Sequence, residues 1–262
     1  MTEQKIRFDD GAAYERMMGT WSRLAGDVFL DWLAPPAGLR WIDVGCGNGA
    51  FTERIVERCA PAEVHGIDPS AGQLAFARTR PASRLAVFGE GDAMALPFPA
   101  DRFDAAVMGL VIFFVPEPKK GVAEMARVVR PGGIVATYAW DLPGGGFPLE
   151  PVLIELRAMG IQPTLPPSPE ASRMDVLRAL WTDAGLAGIA TRQITVQRMF
   201  KNFADFWATL LLSPSNGPTI NAMSARDRDN LKDRTRERLP ADADGHIICG
   251  ARANAIKGRR PE

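Results

Sequence analysis

Apolar residues fall into two rhythms along this chain. Short dense blocks at residues 41–44, 63–68, 85–90, 103–111 and 134–140 read as strands. The longest apolar run, residues 105–115 broken only by Gly109, has the pattern of a strand buried on both faces, as parallel sheets require. Between the blocks, apolar positions recur every three or four residues, at Phe51, Ile55 and Cys59 and again at Val122, Met125 and Val129, which predicts amphipathic helices. Ser70 followed by Gln73 predicts a capping box on another helix, which Pro81 ends. Strand and helix alternating at this spacing predict right-handed crossovers and an α/β doubly wound sheet.

Both flanks depart from that rhythm. Residues 12–33 read as a helical arm, with Met17, Trp21, Leu24, Val28 and Leu33 on one face and Pro35-Pro36 closing it. Beyond Asp141, Gly144-Gly145-Gly146 reads as a flexible hinge, and a helix is predicted over 149–159. Pro163, Pro166, Pro167 and Pro169 stiffen the loop that follows, and Met174, Leu177, Trp181 and Ala184 mark a further helix. Strands are predicted over 189–196 and 245–256. The roughly forty residues between them are too many for a hairpin loop and must carry helices. Phe203, Phe206, Trp207, Leu210 and Leu211 form the apolar face of the first. The second, residues 224–239, is dense in Arg and Asp and reads as a solvated face with pairs such as Asp229–Lys232 and Asp233–Arg236. One domain is expected over 1–262, divided into an arm (1–36), a core (37–142), connecting helices and a sixth strand (143–199), a helical insertion (200–243) and a last strand (244–257).

Composition narrows the function classes. Lys plus Arg and Asp plus Glu number 31 each, so no overall field exists to hold nucleic acid or an anionic membrane. The one basic cluster, Lys257, Arg259 and Arg260, reads as a frayed solvated terminus. Cys46, Cys59 and Cys249 have no C-x-x-C spacing, so neither a disulfide framework nor a zinc site is indicated. Residues 1–10 lack the apolar segment of a signal peptide, and the longest apolar run is too short to span a bilayer. A soluble, cytoplasmic protein with no metal is expected.

Trp41 to Thr52 carries the chemistry: an apolar strand runs into Gly45, Gly47 and Gly49 and then opens a helix. Glycine there allows a sharp turn and close ligand approach, with free helix N–H groups behind it. Gly45-Cys46-Gly47-Asn48-Gly49-Ala50 formally fits the dinucleotide fingerprint. Asp43, two residues before the first glycine, argues otherwise: a carboxylate repels a pyrophosphate and attracts an ammonium.

With Asp43, the loop resembles that of the class I S-adenosylmethionine-dependent methyltransferases, and the likeness covers most of residues 37–140. The resemblance implies a Rossmann-like, seven-stranded mixed sheet with the last strand antiparallel. It also implies S-adenosyl-L-methionine as cofactor and S-adenosyl-L-homocysteine as product. Asp68, in Asp68-Pro69-Ser70, stands where the family accepts the ribose hydroxyls. Gly91-Asp92-Ala93 resembles the adenine site, and the backbone near Gly109 and Leu110 would face the methionine ammonium. Glu124, Arg127 and Pro131-Gly132-Gly133 are expected to hold the fold. Residues 14–22 resemble the arm of small-molecule members, including quinone-biosynthesis methyltransferases, in which the arm lies over the cofactor. Tyr14 or Arg16 could meet the methionine carboxylate there.

Phe113-Phe114 and Trp140, where the family more often has polar residues, make the acceptor pocket apolar. Trp21, Phe203 and Trp207 are its other candidate lining residues, each weighed against plain core packing. No catalytic base is identified, and methyl transfer from a sulfonium needs one only if the nucleophile holds its proton. His65 and His246, both placed inside strands, read as structural. The expected activity is in-line transfer of a methyl group to a small, largely apolar acceptor. The rivals are a non-catalytic S-adenosylmethionine-binding protein and an NAD(P)-dependent oxidoreductase; the latter lacks any Tyr-x-x-x-Lys.

Overall fold

The computed structural model describes residues 10–262, so the first nine residues of the expected arm, and all but the last of the polar stretch 1–10, lie outside the described residues. In chain order the elements are α1 (Gly11–Tyr14), a π-helical turn (Glu15–Gly19), α2 (Thr20–Leu33), β1 (Arg40–Val44), α3 (Ala50–Cys59), β2 (Glu63–Asp68), α4 (Ala71–Ala77) and β3 (Ala86–Glu90). Then come β4 (Phe103–Gly109), α5 (Pro118–Val128), β5 (Val129–Trp140), α6 (Glu150–Ala158), α7 (Met174–Asp183), β6 (Ala187–Phe200), α8 (Phe203–Leu210), α9 (Gly217–Asn221), α10 (Ala225–Arg238) and β7 (Ile247–Arg259).

The seven strands form one sheet in the order β3-β2-β1-β4-β5-β7-β6. β1 to β5 are parallel, and β7 inserts antiparallel between β5 and β6. The pleat assigns the layers: on β4, Gly109 faces Phe51 of α3 and Tyr138, whereas its neighbour Met108 faces α5. Phe29 of α2, Phe51 and Tyr138 cluster at ring-centroid separations of 4.7 to 5.9 Å. On the opposite side the buried Trp181 of α7 donates its indole N–H to the Val135 carbonyl at 3.0 Å.

Several expectations are corrected. Arm residues 12–33 are helical throughout, but a π turn interrupts them. Pro131-Gly132-Gly133, ahead of the strand predicted from residue 134, is a bulge inside β5: Gly132 has φ +73, and a Cβ on Gly133 would lie 2.7 Å from the Asp104 carbonyl. Gly144-Gly145-Gly146 is a tied turn, because Gly146 N–H donates to Asp141 O (2.7 Å) and Arg252 N–H to Gly146 O (2.9 Å). The basic tail is anchored: Lys257 Nζ donates to Trp32 O at 2.9 Å, Arg259 to Gly132 O at 2.8 Å and Arg260 to Val129 O at 2.6 Å. β6 and β7 run longer than predicted, since cross-strand pairing continues through polar positions such as Gln197 and Arg198.

The charged helix α10 is only partly a solvated face. Asp233 and Arg236 do pair at 2.9 Å. Arg234 and Arg238, however, reach inward to Glu155 of α6, a carboxylate only 4% exposed. Burial pushes the Glu155 carboxyl up, but the hydrogen bonds and charges of the two guanidiniums outweigh it and leave a net fall, with Arg238 contributing most. That grip fastens the insertion to the domain.

Candidate functional site

In an open parallel sheet the ligand crevice lies outside the carboxyl ends of the strands, where strand order reverses. Here the reversal falls between β1 and β4. The loops leaving β1, β2 and β4 meet there and bring together the residues singled out in the sequence.

Gly45, Gly47 and Gly49 all have positive φ, at +75, +53 and +78. The first is needed for space as well, because a Cβ on Gly45 would sit 2.5 Å from Val111 Cγ1. A Cβ on Gly47 would meet nothing nearer than Gln73 Oε1 at 3.9 Å, so the centre of the loop is open. The loop is fixed from behind: Gly45 and Cys46 N–H both donate to the Ile67 carbonyl (2.7 and 3.0 Å), and Asn48 Oδ1 accepts from Ala50 N–H (3.2 Å).

Two carboxylates flank this loop. Asp68 accepts Gly47 N–H on Oδ2 and Ser70 N–H on Oδ1, both at 2.9 Å. Burial pushes its carboxyl up, against those two donors. Asp43, 1% exposed, accepts the Thr52 hydroxyl at 2.7 Å. Burial pushes it up to about 7, with the nearby Asp68 adding to the rise and the Thr52 hydrogen bond opposing it. Among the described residues neither carboxylate has an ion-pair partner. Gln73 is 2% exposed and both ends of its amide lack a partner, although its side chain borders the Gly47 turn. The capping box is therefore half formed: Ser70 caps α4 by accepting Gln73 N–H, and the Gln73 side chain turns to the glycine loop instead.

The other anticipated cofactor residues lie around the same crevice. Gly91 N–H donates to the Asp68 carbonyl (3.3 Å), and a Cβ there would lie 2.5 Å from Ile67. Asp92 is exposed and accepts Met94 N–H at 2.8 Å, Ala93 is half-buried, and Pro69 is exposed at the rim. Glu124 and Arg127 hold this loop from below: Glu124 accepts Leu96 N–H at 2.7 Å and Arg127 donates to Phe98 O at 2.8 Å. At the end of β4, Leu110 has φ +63, and its N–H donates to the Tyr138 carbonyl at 2.7 Å. A leucine in this left-handed conformation costs on the order of 1 kcal/mol or more, and such residues cluster at ligand sites.

The arm closes the crevice from the other side. Glu15, on the π turn, pairs with Arg23 and Arg80 and accepts from Asn48 Nδ2 at 2.8 Å. Arg80 also donates to the Asn48 carbonyl at 2.6 Å, so the arm is latched to the glycine loop itself. Directly after Glu15 in the turn, half-buried Arg198 of β6 donates to the Met17 and Arg16 carbonyls at 2.9 and 3.1 Å. π turns leave backbone groups to be satisfied from outside the helix, and they mark functional segments.

Between these anchors lies an apolar cleft with about 390 Å³ of empty space, part of it open to solvent. The arm contributes Tyr14, Met17 and Met18, the strand ends contribute Leu110, Phe113, Phe114 and Trp140, and Phe147 adds a further ring. Ser213, Pro214 and Ser215 of the insertion form the remaining wall. Burial, together with the charges of Asp68 and Glu15, pushes the Tyr14 hydroxyl far up, so Tyr14 stays protonated. Tyr14 thereby adjoins both the carboxylate region and the cleft.

Four residues expected at the site, Arg16 toward the methionine carboxylate and the other three in the pocket wall, do not line the cleft. Arg16 is exposed and lies 3.8 Å from Asp205. Trp21 is a core residue, edge-on to Trp140 at 6.2 Å. Phe203 and Trp207 stack on each other at 6.0 Å, under Arg236. Gln73, Met17, Met18, Phe147 and the two serines were not anticipated. His65 is in β2 beside Glu63, whereas His246 lies in the turn before β7, not inside a strand. In that turn Asp242, Asp244 and His246 come within 4.8 Å of one another, a cluster that spacing did not reveal. Asp242 Oδ1 is already committed there to the backbone N–H groups of Asp244 and His246. No helix among the described residues is long and apolar enough to cross a membrane.

Residues 42–137, which hold the loops leaving β1, β2, β3 and β4, match a family model described as a methyltransferase domain. Over these residues the chain is similar to that domain. Among curated relatives it is 37% identical over 137 residues to a ubiquinone/menaquinone biosynthesis C-methyltransferase of Dinoroseobacter shibae, covering 50% of this chain and 54% of that one. It is 44% identical over 96 residues to a rice chloroplastic 2-methyl-6-phytyl-1,4-hydroquinone methyltransferase, covering 37% of this chain and 28% of that one. The chain thus spans about half the length of the first relative and less of the second. Solved structures share the fold at lower identity. A Haemonchus contortus phosphoethanolamine N-methyltransferase 2, bound to phosphomonomethylethanolamine and S-adenosylhomocysteine, superposes with a TM-score of 0.59 at 19% identity over 95% of this chain and 56% of that one. The cyclase SpnF superposes at 0.53 and 20% identity over 100% and 88%. A fold shared by a methyltransferase and a cyclase leaves the reaction to the site.

Proposed function

We propose that this domain is an S-adenosylmethionine-dependent methyltransferase acting on a small, largely apolar acceptor of the quinol or phenol class. One observation carries the reading: the buried Asp43 and the half-buried Asp68 flank an open glycine turn, neither with a cationic partner among the described residues. Uncompensated buried anions are costly, so the site is short of positive charge. A nicotinamide dinucleotide would bring more negative charge to it, whereas S-adenosylmethionine brings an ammonium and a sulfonium. The residues fit that cofactor: Asp68 keeps lone pairs for two ribose hydroxyls, the unpartnered Gln73 amide offers both a donor and an acceptor, and Asp92 at the rim can accept an amine.

Once bound, that cofactor supplies an electrophilic methyl group. The chain's contribution is to hold the acceptor in line and keep water out, which the arm, Leu110 and the aromatic wall are placed to do. None of the cleft's lining side chains is a base at neutral pH, Tyr14 being held protonated. The acceptor must therefore be one that needs no strong base from the protein, such as an electron-rich quinol carbon. The relatives' names support that class, and neither the mechanism nor the cleft calls for a metal. Cys46, Cys59 and Cys249 are free and buried, which fits the reducing cytoplasm.

The test is S-adenosylhomocysteine release from purified protein with S-adenosylmethionine and panels of quinols, phenols, carboxylic acids and amines. Turnover is expected on the quinol or phenol panel. Turnover only on charged amines would refute the acceptor assignment, cofactor binding without any turnover would favour a non-catalytic binder, and saturable NADH binding would favour the oxidoreductase.

A further inference from the structure

We propose that Ser213 and Ser215 form a docking site for one hydroxyl group of the acceptor ring, and that this pair selects hydroxylated rings over their ethers and hydrocarbons. The inference rests on the acceptor reading above and adds the group that is recognised and the residues that recognise it.

The pair is the polar end of an otherwise apolar cleft, and its hydrogen bonds can be counted. Ser213 Oγ and Ser215 Oγ are 3.0 Å apart, so one hydrogen lies between them. Asn216 backbone N–H donates to Ser213 Oγ at 3.3 Å, and Asn216 Nδ2 donates to Ser215 Oγ at 3.0 Å. The orientation of that amide is fixed, because Thr164 N–H, which can only donate, meets Asn216 Oδ1 at 3.1 Å. Ser213 and Asn216 are each 2% exposed, so the arrangement is built into the insertion and is not a mobile surface feature.

Each hydroxyl offers one donor and two lone pairs. If Ser215 donates to Ser213, the Ser213 oxygen has accepted twice and keeps its own O–H; Ser215 keeps one lone pair. If Ser213 donates to Ser215, the roles exchange. Either way the protein's own bonds leave one O–H and one lone pair at the polar end of the cleft. A ligand hydroxyl, which donates once and accepts once, uses both. An ether or carbonyl oxygen uses only the O–H, and a hydrocarbon uses neither and strands both away from water. Phe113, Phe114, Trp140 and Phe147 supply the flat apolar walls a ring requires.

The experiment is calorimetric titration of the full chain, with and without S-adenosylhomocysteine, using 2-naphthol, 2-methoxynaphthalene and 2-methylnaphthalene. The expected order of affinity is naphthol, then ether, then hydrocarbon, with roughly tenfold or more between the first and last. In the Ser213→Ala/Ser215→Ala double variant, naphthol binding should fall about tenfold while 2-methylnaphthalene stays within about twofold, so the preference disappears. Ser215→Ala alone, which leaves the buried Ser213 in place, should lose part of the preference and guards against misfolding of the double variant. Equal affinities in the wild type, no probe binding, or equal loss of all three probes in Ser215→Ala would overturn the proposal. S-adenosylhomocysteine binding separates the two readings. If it binds and the probes are not discriminated, the hydroxyl site fails alone. If it does not bind and discrimination persists, the cofactor reading fails alone.

Discussion

Asp43→Asn tests the charge argument on which the cofactor reading stands. Asp43 is 1% exposed, with its carboxyl pushed from 3.8 up to about 7, burial being the main cause. Between those values the unfolded chain has released the proton and the folded chain still holds it. The folded state then binds more protons, so stability falls as pH rises through this window. A rise of about three units corresponds to a loss of about 4 kcal/mol, fully developed above about pH 7. Asparagine can accept the Thr52 hydroxyl with its carbonyl oxygen but buries an extra N–H₂, which costs about 1–3 kcal/mol. The variant should therefore be less stable than the wild type near pH 4.5 and equal to it or more stable near pH 8.

Urea unfolding of the ligand-free protein at half-unit intervals from pH 4.5 to 8 measures that crossover. Parallel slopes for the two proteins would refute it. Cofactor binding supplies the second arm. At pH 5.5, about 1.5 units below its pKa, only about 3% of Asp43 is ionised, against about half at pH 7, so S-adenosylmethionine affinity in the wild type should rise on the order of tenfold between them. The variant should bind more weakly and lack that rise. Staying at or below pH 7 keeps the ligand's own α-amino group protonated, since such groups titrate near 7.7–8. A pH-independent wild-type affinity would mean that Asp43 does not sense the cofactor's charge.

Asp68→Ala should reduce S-adenosylmethionine affinity by about 100-fold or more, since two charge-assisted bonds are lost, and should cost about 1–3 kcal/mol of stability from the stranded Gly47 and Ser70 N–H groups; calorimetry and a melting curve measure the two effects, and unchanged affinity would sink the ribose assignment. Glu15→Gln removes the charge that Arg23 and Arg80 share and should cost about 1–3 kcal/mol while exposing residues 10–20 to limited proteolysis, with an unchanged cleavage pattern counting against the latch. Although burial pushes the Glu15 carboxyl up, Arg23 and Arg80 bring it below its ordinary value; the latch is thus complete above about pH 4.5 and lost as pH falls further. Deleting residues 1–22 should abolish turnover, and full activity would dismiss the arm as a lid. Glu155→Ala should cost about 1–2 kcal/mol, less than a fully buried pair, because Arg234 and Arg238 are each 43% exposed and can turn to water; acid titration of the stability should then lose part of its fall below pH 4.5.

The parallel half of the sheet was legible because its information is local. The apolar blocks place β1, β2 and β4 within two residues of their observed ends, and the glycines, Asp68 and Leu110 sit at those ends by topology alone. What spacing hides is anything that depends on distant partners. Lys257 and Arg259 read as a solvated tail because nothing nearby in sequence reveals Trp32 or Gly132 as acceptors. Gln73 fits a capping box by spacing, yet its side chain is drawn to the open glycine turn. Trp21, Phe203 and Trp207 were as apolar as the residues that line the cleft, and only the packing of the arm and insertion sorts them. Ser213 and Ser215 carried no signal, since a serine pair beside a proline reads as an ordinary loop.

The same division explains how the site is built. Cofactor features lie on strand ends and are fixed by the sheet, so a carboxylate such as Asp68 can be positioned by two backbone N–H groups. Acceptor features lie partly at the strand ends, as Leu110, Phe113, Phe114 and Trp140 do, and partly on the arm and insertion, which attach to the rest of the domain through ion pairs and carbonyl contacts. Glu15 ties the arm to Asn48 and Arg80 at the glycine loop, Arg198 ties it to β6, and Glu155 ties α10 to α6. Tyr14, Met17 and Met18 lie at or next to the first two anchors, and the serine pair lies in the segment between α8 and α9, ahead of the third. Because Glu15 binds the loop that would carry the cofactor, a disturbance of that loop reaches the acceptor wall within one turn of helix. Acceptor affinity should therefore depend on cofactor occupancy, and by linkage the acceptor must tighten cofactor binding by the same factor. Glu15→Gln should reduce that factor toward one. Naphthol titrations with and without S-adenosylhomocysteine, in wild type and Glu15→Gln, measure it; an undiminished factor in the variant would show that the coupling does not run through the latch.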